Sequence, residues 1–353
     1  GFGYPGKKAD YLHEYSDLHE DHEVRMYEPV EKLAEDMWLI FDAYENGRGS
    51  APIFKAALKD ELRSAEKVAK FSTRVFYASP FPFLAIQKSF MAPLYTLMVK
   101  YGEAFYAALG IDMHRSGHLI KDRLRSFCKD KGSKANFVEG DYGKFDTSMP
   151  FQIGEAACQI SRSILVRLGY EPSHLVIVDG ILTDLLFPRV DFFGDLLTVP
   201  GLQPSGKYAT AEDNSIRNLT ILVYAWYADP LNKDLNFFDY VLPVTYGDDL
   251  LATVLDEVKE RFNNKTIAAS CALMGLDFTT SSKGSVMNEF VDEEEISFLK
   301  RTFRFHEGVE REVACLSVDS IYKMFQYIEP SKAAGPLVQY ESICRSALLE
   351  FFF

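Results

Sequence analysis

Apolar positions recur along this chain with two periods, and the switches between them mark its elements. Residues 9–47 predict a mostly helical, surface-exposed stretch that closes at Gly47-Arg48-Gly49, and 52–78 break into short strand-like pieces. A helix over 83–110 stops at Gly110. Asn136 to Gly140 (NFVEG) predicts a strand ending in Asp141, and Ile153, Ala157, Ile160, Ile164 and Leu168 then keep one face of a helix that Gly169 stops. An insertion separates it from a second long helix, roughly Gly206 to Tyr227. Tyr240 to Tyr246 and Leu250 to Val254 predict two strands joined by Gly247-Asp248-Asp249, a hairpin signal. A helix from Thr266 to Met274, stopped by Gly275, and a strand from Leu276 to Thr280 complete the pattern. With the second helix set against the insertion, this order is close to the ferredoxin-like arrangement.

That arrangement sets the end of the first strand beside the hairpin turn, so Asp141, Asp248 and Asp249 are expected to converge. Three carboxylates in one place repel unless cations hold them together. Oxygen ligands without His or Cys favour Mg²⁺, whose usual partners are one or two carboxylates plus substrate phosphates. A pair of such ions suits in-line phosphoryl or nucleotidyl displacement. Gly-Asp also marks ordinary solvated turns, so the weight rests on what accompanies it. Asp146 follows Asp141 in DYGKFD, just past the strand end. Ser205-Gly206 precedes a helix that carries Thr210 and Asn214 one turn apart. A hydroxyl, an amide and an acid on one spot can recognise a sugar 2′-hydroxyl, the group that separates RNA from DNA.

Composition narrows the class. The 353 residues are 47% hydrophobic and 25% charged, ordinary for globular chains and enough for two or three subdomains. The longest apolar run, Leu219 to Ala228, is too short to cross a bilayer. Without an initiator Met or a leader-like N-terminus, the chain reads as soluble and cut from something longer. Five scattered cysteines without a C-x-x-C pair argue against a disulfide framework or a zinc site and for a reducing compartment. The net charge of −13 speaks against a uniformly basic nucleic-acid binder, yet Lys55, Lys59, Arg63, Lys67, Lys70 and Arg74 cluster, as do Lys300 to Arg304. An acidic exterior around a basic channel satisfies both observations. His114 and His118 have helical metal spacing but lack an accompanying carboxylate signature, and read as ordinary surface or core histidines.

Taken in order, these residues resemble the RNA-dependent RNA polymerases of picornavirus-like positive-strand RNA viruses, from Gly3 to Arg304. Asp141 and Asp146 match the family's motif A, and Ser205, Gly206, Thr210 and Asn214 match motif B. Tyr246 to Asp249 (YGDD) is motif C, Lys283 after Gly275 motif D, and Phe298 to Arg301 (FLKR) motif E. Lys59 to Arg63 (KDELR), with Lys67 and Arg74, resembles motif F, and Gly3, Tyr4 and Pro5 resemble motif G.

The resemblance implies an α+β, right-hand polymerase with fingers, a ferredoxin-like antiparallel-sheet palm and a truncated helical thumb. The expected division is fingers over 1–134, lacking the N-terminal strap; palm over 135–180; a fingers insertion over 181–204; palm again over 205–304; and a partial thumb over 305–353. It also implies roles. Asp141 and Asp248 hold two Mg²⁺ ions, for which Mn²⁺ substitutes, and Asp249 assists. Asp146, Thr210 and Asn214 select the ribose, while Ser205-Gly206 forms a mobile loop that monitors the templating base pair. Arg63, Lys67 and Arg74 neutralise the triphosphate, Lys283 protonates the departing pyrophosphate, and Lys300 and Arg301 support the primer, with Gly3, Tyr4 and Pro5 at the template. Implied partners are template and primer RNA, NTPs, a genome-linked protein primer and other replication proteins. The implied setting is the host cytoplasm, in membrane-associated replication complexes, after release from a polyprotein.

Lys207 and Tyr208 depart from the family, which commonly carries small residues after Ser-Gly. Two alternatives stand beside the main reading: a reverse transcriptase-like polymerase, which a preference for deoxynucleotides would reveal, and a catalytically decayed palm acting as an RNA-binding scaffold. Against decay, Asp141, Asp248, Asp249 and Lys283 are all present.

Overall fold

The N-terminal segment forms a two-stranded ribbon where a helix was expected. β1 (Leu12–His19) pairs antiparallel with β2 (His22–Pro29), Leu12 opposite Pro29 and His19 opposite His22. Tyr15, Met26 and Tyr27 remain exposed on it, and a continuous backbone ladder holds the pair. The computed structural model describes residues 3–19, 22–280, 287–328, 331 and 333–353, with side chains at all of these but 17–19 and 22–25.

The chain continues through α1 (Glu31–Glu45), β3 (Ile53–Leu58), α2 (Ala65–Ala69), β4 (Val75–Ala78) and α3 (Phe81–Lys100). Next come α4 (Met113–Asp130) and β5 (Asn136–Gly143), then α5 (Phe145–Ser148), α6 (Phe151–Arg167), α7 (Pro172–Leu186), β6 (Arg189–Phe192) and β7 (Asp195–Thr198). The remainder is α8 (Thr210–Tyr227), α9 (Phe237–Tyr240), β8 (Val241–Tyr246), β9 (Asp249–Val254), α10 (Asn264–Leu273), β10 (Asp277–Thr279), β11 (Ser297–Phe298), β12 (Arg301–His306), β13 (Arg311–Leu316), α11 (Val318–Met324) and α12 (Pro336–Phe352). Two units result: Gly1–Leu97 with Asp146–Asp213, and Met98–Phe145 with Asn214–Phe353. Residues 146–180, expected with the palm, therefore group with the first unit.

In the first unit a four-stranded sheet runs β4-β3-β6-β7, with β3 and β6 parallel and the other pairs antiparallel. Its buried carboxylate Asp184 on α7 is fully engaged: it accepts from the Tyr44 hydroxyl at 2.7 Å and from the Ser50 amide and hydroxyl at 3.0 and 2.7 Å. Burying that charge is tolerable only because these donors replace water.

The second unit holds the expected ferredoxin-like sheet, in the order β10-β5-β9-β8. β5 lies centrally, antiparallel to both neighbours, with Gly140 opposite Leu250 and Asp141 opposite Thr279. Phe137, Leu242, Val244 and Leu251 from this sheet bury against Ile120 and Leu124 of α4, a helix the sequence reading left unassigned. Phe298, Phe303 and Ala314 carry the same core into a three-stranded sheet, β11-β12-β13.

Gly140, one residue before Asp141, has no room for a side chain: a Cβ there would lie 2.1 Å from the ring of Phe278 on β10. Gly140→Ala should therefore cost about 1–3 kcal/mol through overpacking, read as a lower urea midpoint with an unchanged slope; an unaltered midpoint would show that the Phe278 ring moves freely aside.

Candidate active site

The hairpin that carries the paired acids is tighter than the sequence implied. Tyr246 pairs with Asp249, leaving Gly247 and Asp248 as a two-residue turn, and Gly247 takes φ +63°, a conformation that favours glycine. Asp249 is thus the first residue of β9, and Asp248 alone caps the turn. Among the described residues no group of three His, Cys, Asp or Glu side chains is placed to hold a metal.

What fixes the turn beside β5 is a set of buried hydrogen bonds from α8. Asn218, fully buried, donates its amide to the carbonyls of Gly247 and Asp248 at 3.1 Å each and of Asp249 at 3.3 Å. Its side-chain oxygen accepts from the Tyr142 hydroxyl at 3.0 Å. Ser215, one turn earlier on α8, accepts the Gly247 amide at 2.9 Å. Tyr142 immediately follows Asp141, whose carboxylate accepts the Tyr142 amide at 2.9 Å. Burial pushes the Tyr142 phenol well above its ordinary value, with Cys271 and the Asp248 carboxylate adding to the shift. The phenol stays protonated and remains a donor. Asn218 thus ties the segment bearing Asp141 to the turn bearing Asp248.

Asn218 occupies the turn's carbonyls, and the carboxylates of Asp141 and Asp248 are half-buried; carboxylate oxygens are the donor type that could hold a hard cation such as Mg²⁺ when phosphate and water complete its shell. Asn214 is buried at the start of this unit's share of α8. Lys283 lies outside the described residues.

Several predicted cations have other partners. Arg301 forms a bidentate pair with Glu350 of α12, at 2.8 and 2.6 Å, and also donates to the Ala314 carbonyl at 2.8 Å. His114 meets the same carboxylate at 3.0 Å. Burial raises the Glu350 pKa, but Arg301 and His114 outweigh it and hold the group below the usual glutamate range. Arg301 therefore anchors the C-terminal helix instead of lying open to RNA. Lys300, beside it, is exposed in a turn where Leu299 and Lys300 both take positive φ, +54° and +59°.

In the first unit, Arg63 donates to the Ser72 carbonyl at 3.1 and 2.8 Å and pairs with Glu61 at 3.2 Å, so it closes the loop between β3 and β4. Arg74 pairs with the other Glu61 oxygen at 3.5 Å but keeps 58% of its side chain exposed, and Lys67 is exposed on α2. Tyr4 is core rather than template surface: it is 5% exposed, donates to Asp36 at 2.5 Å and packs edge-on against Tyr11 and Phe81. Gly3 and Pro5 engage through their carbonyls, which accept from Lys32 and Tyr11 at 2.7 Å each.

Asp146, on α5, accepts the Gln203 amide through its carbonyl at 2.9 Å, and its charge raises the pKa of Tyr77 after burial has done so. Gly206 is held against β4, its amide donating to the Tyr77 carbonyl at 3.0 Å; a Cβ at Gly206 would lie 2.4 Å from that oxygen. Thr210 donates its hydroxyl to the carbonyls of Ser205 at 3.0 Å and Lys207 at 3.3 Å.

Sequence reasoning missed Tyr142, Ser215 and Asn218. The available signal was positional, since Thr210, Asn214 and Asn218 recur every four residues along one helical row.

A carboxylate-bearing ferredoxin-like sheet with a Gly-Asp-Asp hairpin is consistent with the palm of a right-hand polymerase fold. The family model described as viral RNA-dependent RNA polymerase matches residues 1–351, and the chain belongs to that family. It is 28% identical to the replicase polyprotein of Drosophila C virus over 91% of its own length, and 26% identical to that of cricket paralysis virus over 84%. It spans 18% and 17% of those two polyproteins. Among solved structures, a Sicinivirus 3Dpol RNA-dependent RNA polymerase superposes with a TM-score of 0.73 at 20% identity, covering 95% of this chain and 68% of that one.

Removing the tie should be measurable without catalysis. Asn218→Ala strands three turn carbonyls and a phenol, and should cost about 1–3 kcal/mol, whereas Tyr142→Phe removes one bond and should cost about 0.5–1.5 kcal/mol. Urea unfolding of both variants checks the order; an equal or smaller loss for Asn218→Ala would mean the turn stands without it.

Proposed function

We propose that this chain extends an RNA primer on an RNA template, joining the 3′-hydroxyl oxygen to the α-phosphorus of an NTP with release of pyrophosphate. The observation carrying this reading is the Asn218 tie between the Asp141 segment and the Asp248 turn. Asp141 and Asp248 would hold two Mg²⁺ ions, with Asp249 close by in the chain. Bound there, such ions activate the attacking oxygen and stabilise the leaving one.

The remaining roles belong to the chain itself. Arg74 and Lys67, both exposed, meet the triphosphate, while Arg63 shapes the loop that presents them. Asp146, Thr210 and Asn214 read the ribose, and Ser205-Gly206 faces the templating pair. Lys283 delivers a proton to pyrophosphate, completing the balance left when the primer hydroxyl loses its own. Lys300 touches the primer strand. In this scheme fingers comprise 1–134 and 181–204, palm 135–180 and 205–304, and thumb 305–353.

Template and primer RNA, NTPs and a genome-linked protein primer are the proposed partners. Release from a viral polyprotein and work beside other replication proteins at host cytoplasmic membranes complete the proposal. Among the described residues no helix is long and apolar enough to cross a membrane.

Asp248→Ala tests the reading directly. It removes an ion ligand and also a like charge, so Mg²⁺-dependent extension of a short RNA hairpin should vanish while the far-ultraviolet circular dichroism spectrum is kept; extension at the unaltered rate would refute the assignment.

A further inference from the structure

Lys207 and Tyr208, the residues that depart from the family pattern after Ser205-Gly206, are both built into the loop's anchorage. Lys207 is buried, with 1% of its side chain exposed, and its ammonium lies 2.8 Å from the Asp213 carboxylate. That carboxylate also accepts from Gln203 at 2.5 Å. Tyr208 has its backbone held from both ends by Gln87, whose amide nitrogen donates to the Tyr208 carbonyl at 3.2 Å and whose oxygen accepts the Tyr208 amide at 3.3 Å. Ala209 then turns through φ +56° into α8. A buried ion pair inside a surface loop is costly to form and costlier to break from one side. The pair locates the Lys207 backbone, and the Lys207 and Ser205 carbonyls accept the hydrogen bond that the Thr210 hydroxyl donates. A hydroxyl committed as donor offers only its lone pairs to anything else.

Resting on the polymerase reading, we infer that Lys207 is a specificity-determining positioning residue: through its ion pair with Asp213 it holds Thr210 as a fixed acceptor for the 2′-hydroxyl of an incoming ribonucleotide. A deoxynucleotide has no proton to give there. Loosening the loop lets the Thr210 hydroxyl rotate, and the distinction weakens.

The test is single-nucleotide extension of an RNA hairpin with GTP and dGTP, comparing kcat/KM ratios for Lys207→Met, Asp213→Asn, their double variant, Thr210→Val, and Lys207→Met combined with Thr210→Val. Each single change should lower the ribo-over-deoxy ratio about tenfold, roughly the worth of one hydrogen bond, through KM for GTP. The Lys207/Asp213 double variant should lose no more than either single one, and Lys207→Met should add nothing once Thr210 is valine. Equal losses for GTP and dGTP, leaving the ratio unchanged, would reduce the pair to a structural element and overturn the inference; so would additive losses in the combined variants. Amide exchange supplies a readout without catalysis: Lys207→Met should raise exchange at Gly206 and Lys207 selectively, and a uniform rise across the unit would also overturn it. Failure of the unaltered chain to extend any primer would count against the polymerase reading itself, whereas unchanged exchange in Lys207→Met would count against the clasp alone.

Discussion

The second unit depends on one buried amide. Asn218 bonds three turn carbonyls and one phenol at once, and its bonds to the Gly247 carbonyl and the Tyr142 phenol are buried. Low local dielectric makes such a network strong when complete and expensive when one member is missing. The sheet register brings the Asp141 strand and the Asp248 hairpin into neighbouring positions, but a ladder alone leaves a two-residue turn able to rock. The amide network removes that freedom, and Ser215 does so from the other side of the Gly247 peptide. On the proposed reading, in which Asp141 and Asp248 share cations, this stiffness opposes the repulsion between their like charges.

Elements that bury one face were legible in the sequence. The β8–β9 hairpin declared itself through apolar runs around a Gly-Asp turn, and α6 and α10 through a single apolar face with a glycine stop. The β1–β2 ribbon was not legible: Tyr15, Met26 and Tyr27 stay exposed on it, and the charge pattern of the segment suggested a solvated helix instead. α4 was passed over although Asp112 caps its start, its carboxylate accepting the amides of His114 and Arg115 at 3.0 and 3.2 Å. Its mixed charges obscured the stripe of Ile120, Leu124 and Cys128.

Side-chain commitments were harder to foresee than elements. A motif position specifies an arginine or a tyrosine without saying which group it meets. Arg301 meets Glu350, 49 residues further along, and Tyr4 meets Asp36, 32 residues further along. Both partners are set by tertiary packing, and no local spacing announces them. The same limit applies to Lys207, visible beforehand only as an unusual residue after Ser-Gly; its place inside the fold explains why a long cation is accommodated there.

The most direct measurement of the central claim is the anomalous scattering of crystals soaked in Mn²⁺. If the Asn218 tie prepares Asp141 and Asp248 to act together, the strongest peak will be bonded to carboxylate oxygens of both residues, and it will weaken in Asn218→Ala. A Mn²⁺ peak on Asp248 alone, unchanged by loss of the amide, would contradict the account.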